Sequence, residues 1–184
     1  MNRRNLLCAL VTAGAILISG VALAWSANKI DREVDEAIGV FKKDVNGSEV
    51  FLDQAAGYLV FPRVIKAGIG IGGETGEGAL RVGGKTVDYY RTTSGSIGFQ
   101  LGVQKKSIVI AFMTKQALDK FRYSNGWKVG IDGSVAIIDL GAGKTIDSDN
   151  IKDPVVGFIF GSAGLMYNLT LEGSKFSKLD KETS

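Results

Sequence analysis

Ile30, Val34, Ile38, Phe41 and Val45 recur at helical spacing, and Asp, Glu, Lys and Arg fill the positions between them. The pattern predicts an amphipathic helix over about residues 28–45. Asn46-Gly47 ends it, and Ser48 is placed to cap a shorter helix reaching Ala56. From Gly57 onward the period changes to two. Ile97, Phe99, Leu101 and Val103 alternate with Gly98, Gln100, Gly102 and Gln104. Val129, Ile131, Gly133, Val135 and Ile137 do the same, as do Leu165, Tyr167, Leu169 and Leu171. These runs read as strands with one apolar face. Shorter strand candidates lie at residues 58–61, 67–72, 78–82, 86–91, 107–112 and 155–160. One helix interrupts them, with Thr114 as its cap and Leu118 and Phe121 on one face.

Most strand connections are short and rich in Gly, Thr or Lys, which leaves no room for crossover helices and argues for antiparallel pairing. Glycines 68, 70, 72, 98, 102, 130 and 133 fall inside the predicted strands. Gly in a strand permits a sharp bend or a close backbone approach, and its repetition suits a curved or closed sheet. The expected fold class is α+β, with N-terminal helices packed on a strongly curved, Gly-rich antiparallel sheet or barrel.

Ahead of this pattern, Arg3 and Arg4 are followed by uncharged residues from Leu6 to Ala24, closing in Ala22-Leu23-Ala24. A short basic region, an apolar stretch and a small-residue end describe a secretory signal. The stretch is also long enough for an uncleaved anchor. Arg3-Arg4 before Leu6-Leu7 fits a loose twin-arginine export pattern as well. The expected organisation is a signal segment or anchor over 1–24 and a single domain over 28–180. The expected location is outside the cytoplasm, periplasmic or envelope-associated.

Composition narrows the chemistry. The 184 residues contain no His and a single Cys, Cys8. A Ser-His-Asp triad, a Cys-His pair, a zinc finger and a haem His ligand are all excluded, as is an intrachain disulfide. No cofactor or metal is expected, and the chain reads as a non-enzyme. Without the signal segment, Arg3 and Arg4 go and the net charge falls from +3 to +1. That is no nucleic-acid footprint.

Three motifs tempt and fall short. Gly68-Ile69-Gly70-Ile71-Gly72-Gly73 matches GxGxxG formally, but Glu74-Thr75-Gly76-Glu77-Gly78 follows where a phosphate-binding helix should begin. Gly143-Lys144-Thr145 lacks the first Gly of a phosphate loop, because position 138 is Ile138. Asp147, Asp149 and Asp153 lack the central Gly and terminal Glu of a calcium loop.

Residues 61–106 are the only basic part of the chain, with seven cations against three carboxylates. Lys66, Arg81, Lys85, Arg91, Lys105 and Lys106, with Tyr89 and Tyr90 among them, are the candidate lipid-binding residues. Cations facing one way would meet lipid phosphates while the tyrosines sit at headgroup depth. Trp127, after the turn signal Ser124-Asn125-Gly126, reads most simply as a core residue opening a strand.

The run Gly57-Tyr58-Leu59-Val60-Phe61-Pro62 through Lys66-Ala67-Gly68 resembles the opening of the SYLF domain. Gly78-Ala79-Leu80, Val87-Asp88-Tyr89-Tyr90, Phe112-Met113-Thr114, Gly126-Trp127 and Gly133-Ser134-Val135 continue the resemblance. Gly98 to Gly102 belongs to it too, and the run Gly161 to Gly173 closes it, so that it covers roughly residues 30–178. The resemblance implies lipid binding without known catalysis. Eukaryotic members of that family bind phosphoinositides, and yeast relatives bind actin. The signal segment and the slightly acidic balance of the first helix point this chain instead towards general phospholipid or envelope association. The expected function is that of a non-enzymatic exported envelope protein binding phospholipid or a membrane surface. The alternative is a structural or protein-interaction module of the envelope, with a protein partner or self-association.

Overall fold

The computed structural model describes residues 26–98, 104–138, 146, 152–161, 164–165 and 171–181. The expected signal segment over 1–24 lies outside these residues.

Helix α1, Ala27–Asp44, begins where the Ser26 side chain accepts a hydrogen bond from the Lys29 amide. Lys42 and Lys43 sit in its last turn, where cations offset the helix dipole. Ile30, Val34, Ala37 and Phe41 form its buried stripe, and burying a side chain such as Phe41 contributes about 1.5–3 kcal/mol. A second helix, α2, spans Ser48–Gln54. Gly47, not Ser48, is its N-cap. The Ser48 hydroxyl instead donates 2.6 Å to the Val45 carbonyl, tying the two helices together.

The sheet is built on β1, Gly57–Val82, a single bent strand that absorbs three of the expected short ones. It pairs antiparallel with β2, Lys85–Gly98, through its second half and with β3, Gln104–Phe112, through its first. Pro62 and Arg63 stand opposite Ser107 in a bulge, which suits a proline that has no amide to donate. The two halves of β1 lie against each other. A Cβ on Gly78 would stand 2.1 Å from the Val60 carbonyl oxygen, so only Gly allows this approach.

Helix α3, Lys115–Arg122, follows β3 and is capped by the Thr114 hydroxyl as expected. Among the described residues five short strands extend the sheet: β4 (Trp127–Lys128), β5 (Ala136–Ile137), β6 (Val155–Gly161), β7 (Gly164–Leu165) and β8 (Lys175–Leu179). The order is β4-β8-β2-β1-β3-β6-β5, with β7 also on β6. All pairings are antiparallel except β5 with β6, which makes the sheet mixed.

Laid flat, strands ~4.8 Å apart would put the β4 and β5 edges about 29 Å from each other. The chain from Lys128 to Ala136 reaches ~27 Å only when fully extended. Part of that reach is consumed by a turn in which Val129 bridges Gly133. The sheet therefore curls into a half-barrel. That turn also corrects the expected strand over 129–138. Gly130 adopts a φ of +87°, the Asp132 carboxylate accepts the Lys128 amide, and Ile131 is turned outwards. The alternating runs at 99–103 and 166–170 lie outside the described residues.

Among the described residues, side chains pack on both faces of the sheet. Val60, Ala79, Tyr89, Val109 and Phe158 pack under α1 and α2. Their strand neighbours Leu59, Leu80, Tyr90, Ile108 and Ile159 point to the other face and pack with α3, Trp127 and Phe176. This two-sided burial explains the unbroken apolar runs at 108–112 and 155–160.

Candidate functional site

The eight candidate residues do not converge on one patch. Arg81, near the end of β1, turns towards α1. Its guanidinium lies 2.8 Å from the Asp35 carboxylate and 3.5 Å from that of Asp31. Asp31 also accepts 2.6 Å hydrogen bonds from the Thr86 and Tyr89 hydroxyls. Asp31 thus joins α1 to both strands of the β1–β2 hairpin. Lys66 and Lys106 meet on one acid, Glu74, at 3.7 and 2.6 Å. Arg91 meets Glu77 at 2.6 Å, and Glu77 also takes Lys181 at 3.4 Å. Lys85 and Lys105 are exposed and have no ion-pair partner among the described residues.

Tyr89 and Tyr90 were expected at a surface, and the fold buries both. Consecutive strand residues point to opposite faces, so one ring enters each core. Tyr90 packs on Phe121 with ring centroids 4.8 Å apart, and its buried hydroxyl has no hydrogen-bond partner among the described residues. Burial pushes the Tyr90 phenol well above its ordinary pKa, and the nearby Asp88 carboxylate adds to the shift.

The basic excess of the middle segment is therefore largely neutralised within the fold. Asp88, the third acid of that segment, holds Arg122 from α3 and Lys178 from β8. Composition counted the cations of residues 61–106 but not the acids that α1 lays beside them. The GxGxxG match lies within strand β1, with no helix after it. Gly143-Lys144-Thr145, Asp147 and Asp149 lie outside the described residues. Among the described residues, no group of three or more His, Cys, Asp or Glu side chains is arranged to hold a metal ion.

Two surface clefts are lined by described residues. One, about 230 Å³, lies between α1, the Pro62–Arg63 bulge and the end of β6. The other, about 300 Å³, opens between α3, Asp132 to Ser134, and Pro154 and Val155. Trp127 forms part of its wall. The indole stacks on Phe176 at 5.9 Å, and it is buried as the first residue of β4, in line with its sequence reading. A Cβ on Gly133 would lie 2.6 Å from that indole, so Gly133 lets the turn close over it.

Around this second cleft the surface changes character. Tyr123, at the end of α3, is 84% exposed, and Ile131, at the tip of the turn, is 71% exposed. Lys120 lines the cleft, and Lys128 and Lys175 are directly opposed across the β4–β8 pair. All three lysines are exposed, and none has an ion-pair partner among the described residues. Sequence reading missed this corner. Ile131 sits in an alternating run that imitates a strand, and the lysines become neighbours only through the pairing of residues far apart in the chain.

The family model described as "Ysc84: Las17-binding protein actin regulator" matches residues 93–184, half of the chain. The chain belongs to the Ysc84 (SYLF) family. The match takes in the end of β2, β3, α3 and every later strand, and so the whole of the Tyr123–Ile131 corner. The family is one of lipid- or actin-related binding modules. No curated protein matches the chain.

Proposed function

We propose that this SYLF-family chain is an exported, non-enzymatic protein of the cell envelope that binds phospholipid at a membrane surface. Membership in the family supports a binding role, and the signal-like segment at residues 1–24 supports export. The observation that carries the choice of surface is the filled sheet. Among the described residues the chain's own side chains cover both of its faces, which favours a phospholipid met from outside over one held within. Among the described residues no helix is long and apolar enough to cross a membrane.

The test is co-sedimentation with vesicles, together with native mass spectrometry of the protein purified from its own envelope. Binding to vesicles containing phosphatidylglycerol, without a stoichiometric lipid in the purified protein, is the expected result. A stoichiometric co-purified phospholipid would replace the surface reading with an internal site. Absence of both vesicle binding and bound lipid would sink the lipid reading. The family description, which names a protein partner, would then favour a protein-interaction module.

A further inference from the structure

The corner formed by the end of α3, the β4–β8 pair and the turn at 130–132 combines three features. The first is an unneutralised pair of like charges. Lys128 and Lys175 face each other in register on antiparallel strands. Directly opposed strand residues have Cβ atoms only ~5 Å apart, and like charges there repel. Among the described residues every acid of the strands and most of their cations have a partner of opposite sign, yet these two ammonium groups stand together in solvent. An anion from outside would relieve the repulsion.

The second feature is exposed apolar surface. Among the described residues Tyr123 and Ile131 are two of four large apolar side chains that stand exposed, and they are the two most exposed of them. Each is carried at a reversal of the chain, so each projects from the surface instead of joining a flat patch. The third is rigidity. The base beneath them is the Phe121–Trp127–Phe176 ring cluster, so the corner is held firmly rather than swinging on a long loop.

We infer that this corner is the membrane-docking site, in which Tyr123 and Ile131 enter the headgroup region of an anionic bilayer while Lys128 and Lys175, aided by Lys120, contact lipid phosphate. The inference rests on the phospholipid reading above and names the surface that performs it. Charge selects the occupant. Residues 115–132 carry four cations and two carboxylates, and the segment beside Val129 adds Lys175 and the carboxylate of Glu172, which leaves an excess of two positive charges. One of those carboxylates, Asp119, is occupied by Lys115, and one cation, Arg122, is occupied by Asp88. The geometry favours a bilayer over an acidic protein surface. A phenol ring and an aliphatic tip projecting separately suit a soft interface that accepts each alone, whereas a protein partner would need a pocket for each.

Two double variants test it: Lys128→Gln/Lys175→Gln and Tyr123→Ser/Ile131→Ser. All four positions are exposed, and unchanged thermal unfolding checks that each variant folds. The probe is vesicles of phosphatidylcholine with and without phosphatidylglycerol. The lysine variant is expected to bind the anionic vesicles about thirty-fold more weakly and to lose most of the salt dependence. The apolar variant is expected to bind about tenfold more weakly or worse, and to keep the salt dependence. Wild-type binding matched by both variants overturns the corner as the docking site while leaving the phospholipid reading intact. No binding by the wild type, to either vesicle, removes the phospholipid reading itself.

Discussion

The Tyr89 hydroxyl donates a 2.6 Å hydrogen bond to the Asp31 carboxylate, whereas the hydroxyl of its neighbour Tyr90 is buried with no hydrogen-bond partner among the described residues. Two adjacent and chemically identical residues therefore respond in opposite ways to the same substitution. Tyr89→Phe removes a charge-assisted bond that joins α1 to the hairpin, and it should cost about 1.5–3 kcal/mol. Tyr90→Phe removes only an unsatisfied polar atom, and it should be neutral or stabilise by about 1 kcal/mol. Urea unfolding of the two variants measures both. Equal destabilisation would mean that the Tyr90 hydroxyl has a partner in solution.

The same burial predicts a sensitivity to alkali. Burial raises the Tyr90 phenol, and the more accessible Tyr58 phenol is raised by burial too. A free tyrosine ionises near pH 10. In the native protein these phenols hold their protons to higher pH, so above about pH 10 the unfolded chain binds fewer protons than the folded one. Their contribution is fully present below that pH and is lost as pH rises through the folded-state pKa. The urea midpoint should fall as pH is raised from about 9 to 11, and Tyr90→Phe should flatten the fall. A flat profile in the wild type would contradict the buried placement of the ring.

Gly78 and Gly39 make a matched pair of glycine tests. A methyl at Gly78 would collide with the Val60 carbonyl where β1 lies against itself. Gly78→Ala should therefore cost about 3 kcal/mol or more, or prevent folding. Gly39 is on the exposed side of α1, with nothing within 4 Å of a built Cβ. Gly39→Ala should stabilise by about 0.5–1 kcal/mol through helix propensity. Thermal unfolding of both variants checks the direction. A harmless Gly78→Ala would show that the two halves of β1 are farther apart than described.

Much of this fold is legible in the sequence. Helices α1 and α3 announce themselves through Ile30, Val34 and Phe41 and through Leu118 and Phe121, because one buried stripe leaves a clear period. The glycines forecast a curved sheet, and Gly76 and Gly78 show the mechanism, bare backbone pressed on backbone. The turn at Gly130 was hidden, since Val129, Ile131, Gly133 and Val135 alternate as a strand would. Ion pairing was hidden more deeply. Arg81 finds Asp31 and Asp35 about fifty residues earlier in the chain, and no local pattern registers that meeting. The lysine pair at 128 and 175 is invisible for the same reason.

These pairings separate two kinds of cation, and the separation can be measured. Lys66, Arg81 and Arg91 each hold a carboxylate, whereas Lys85 and Lys105 hold none among the described residues. Lys66→Gln/Arg81→Gln/Arg91→Gln should lose about 2 kcal/mol of stability or more, mostly through Arg81. Glu74 and Glu77 keep Lys106 and Lys181 in that variant, but Asp31 and Asp35 lose their shared guanidinium. Lys85→Gln/Lys105→Gln should leave unfolding unchanged. Any weakening of vesicle binding in the triple variant therefore has to be judged against its lowered melting temperature. The Lys85/Lys105 variant carries no such complication and reports directly on the surface charge of β2 and β3. If the triple variant melts with the wild type, the pairs at Asp31, Glu74 and Glu77 are too loose to hold the fold. Arg81, Lys66 and Arg91 would then be free to meet lipid phosphate after all.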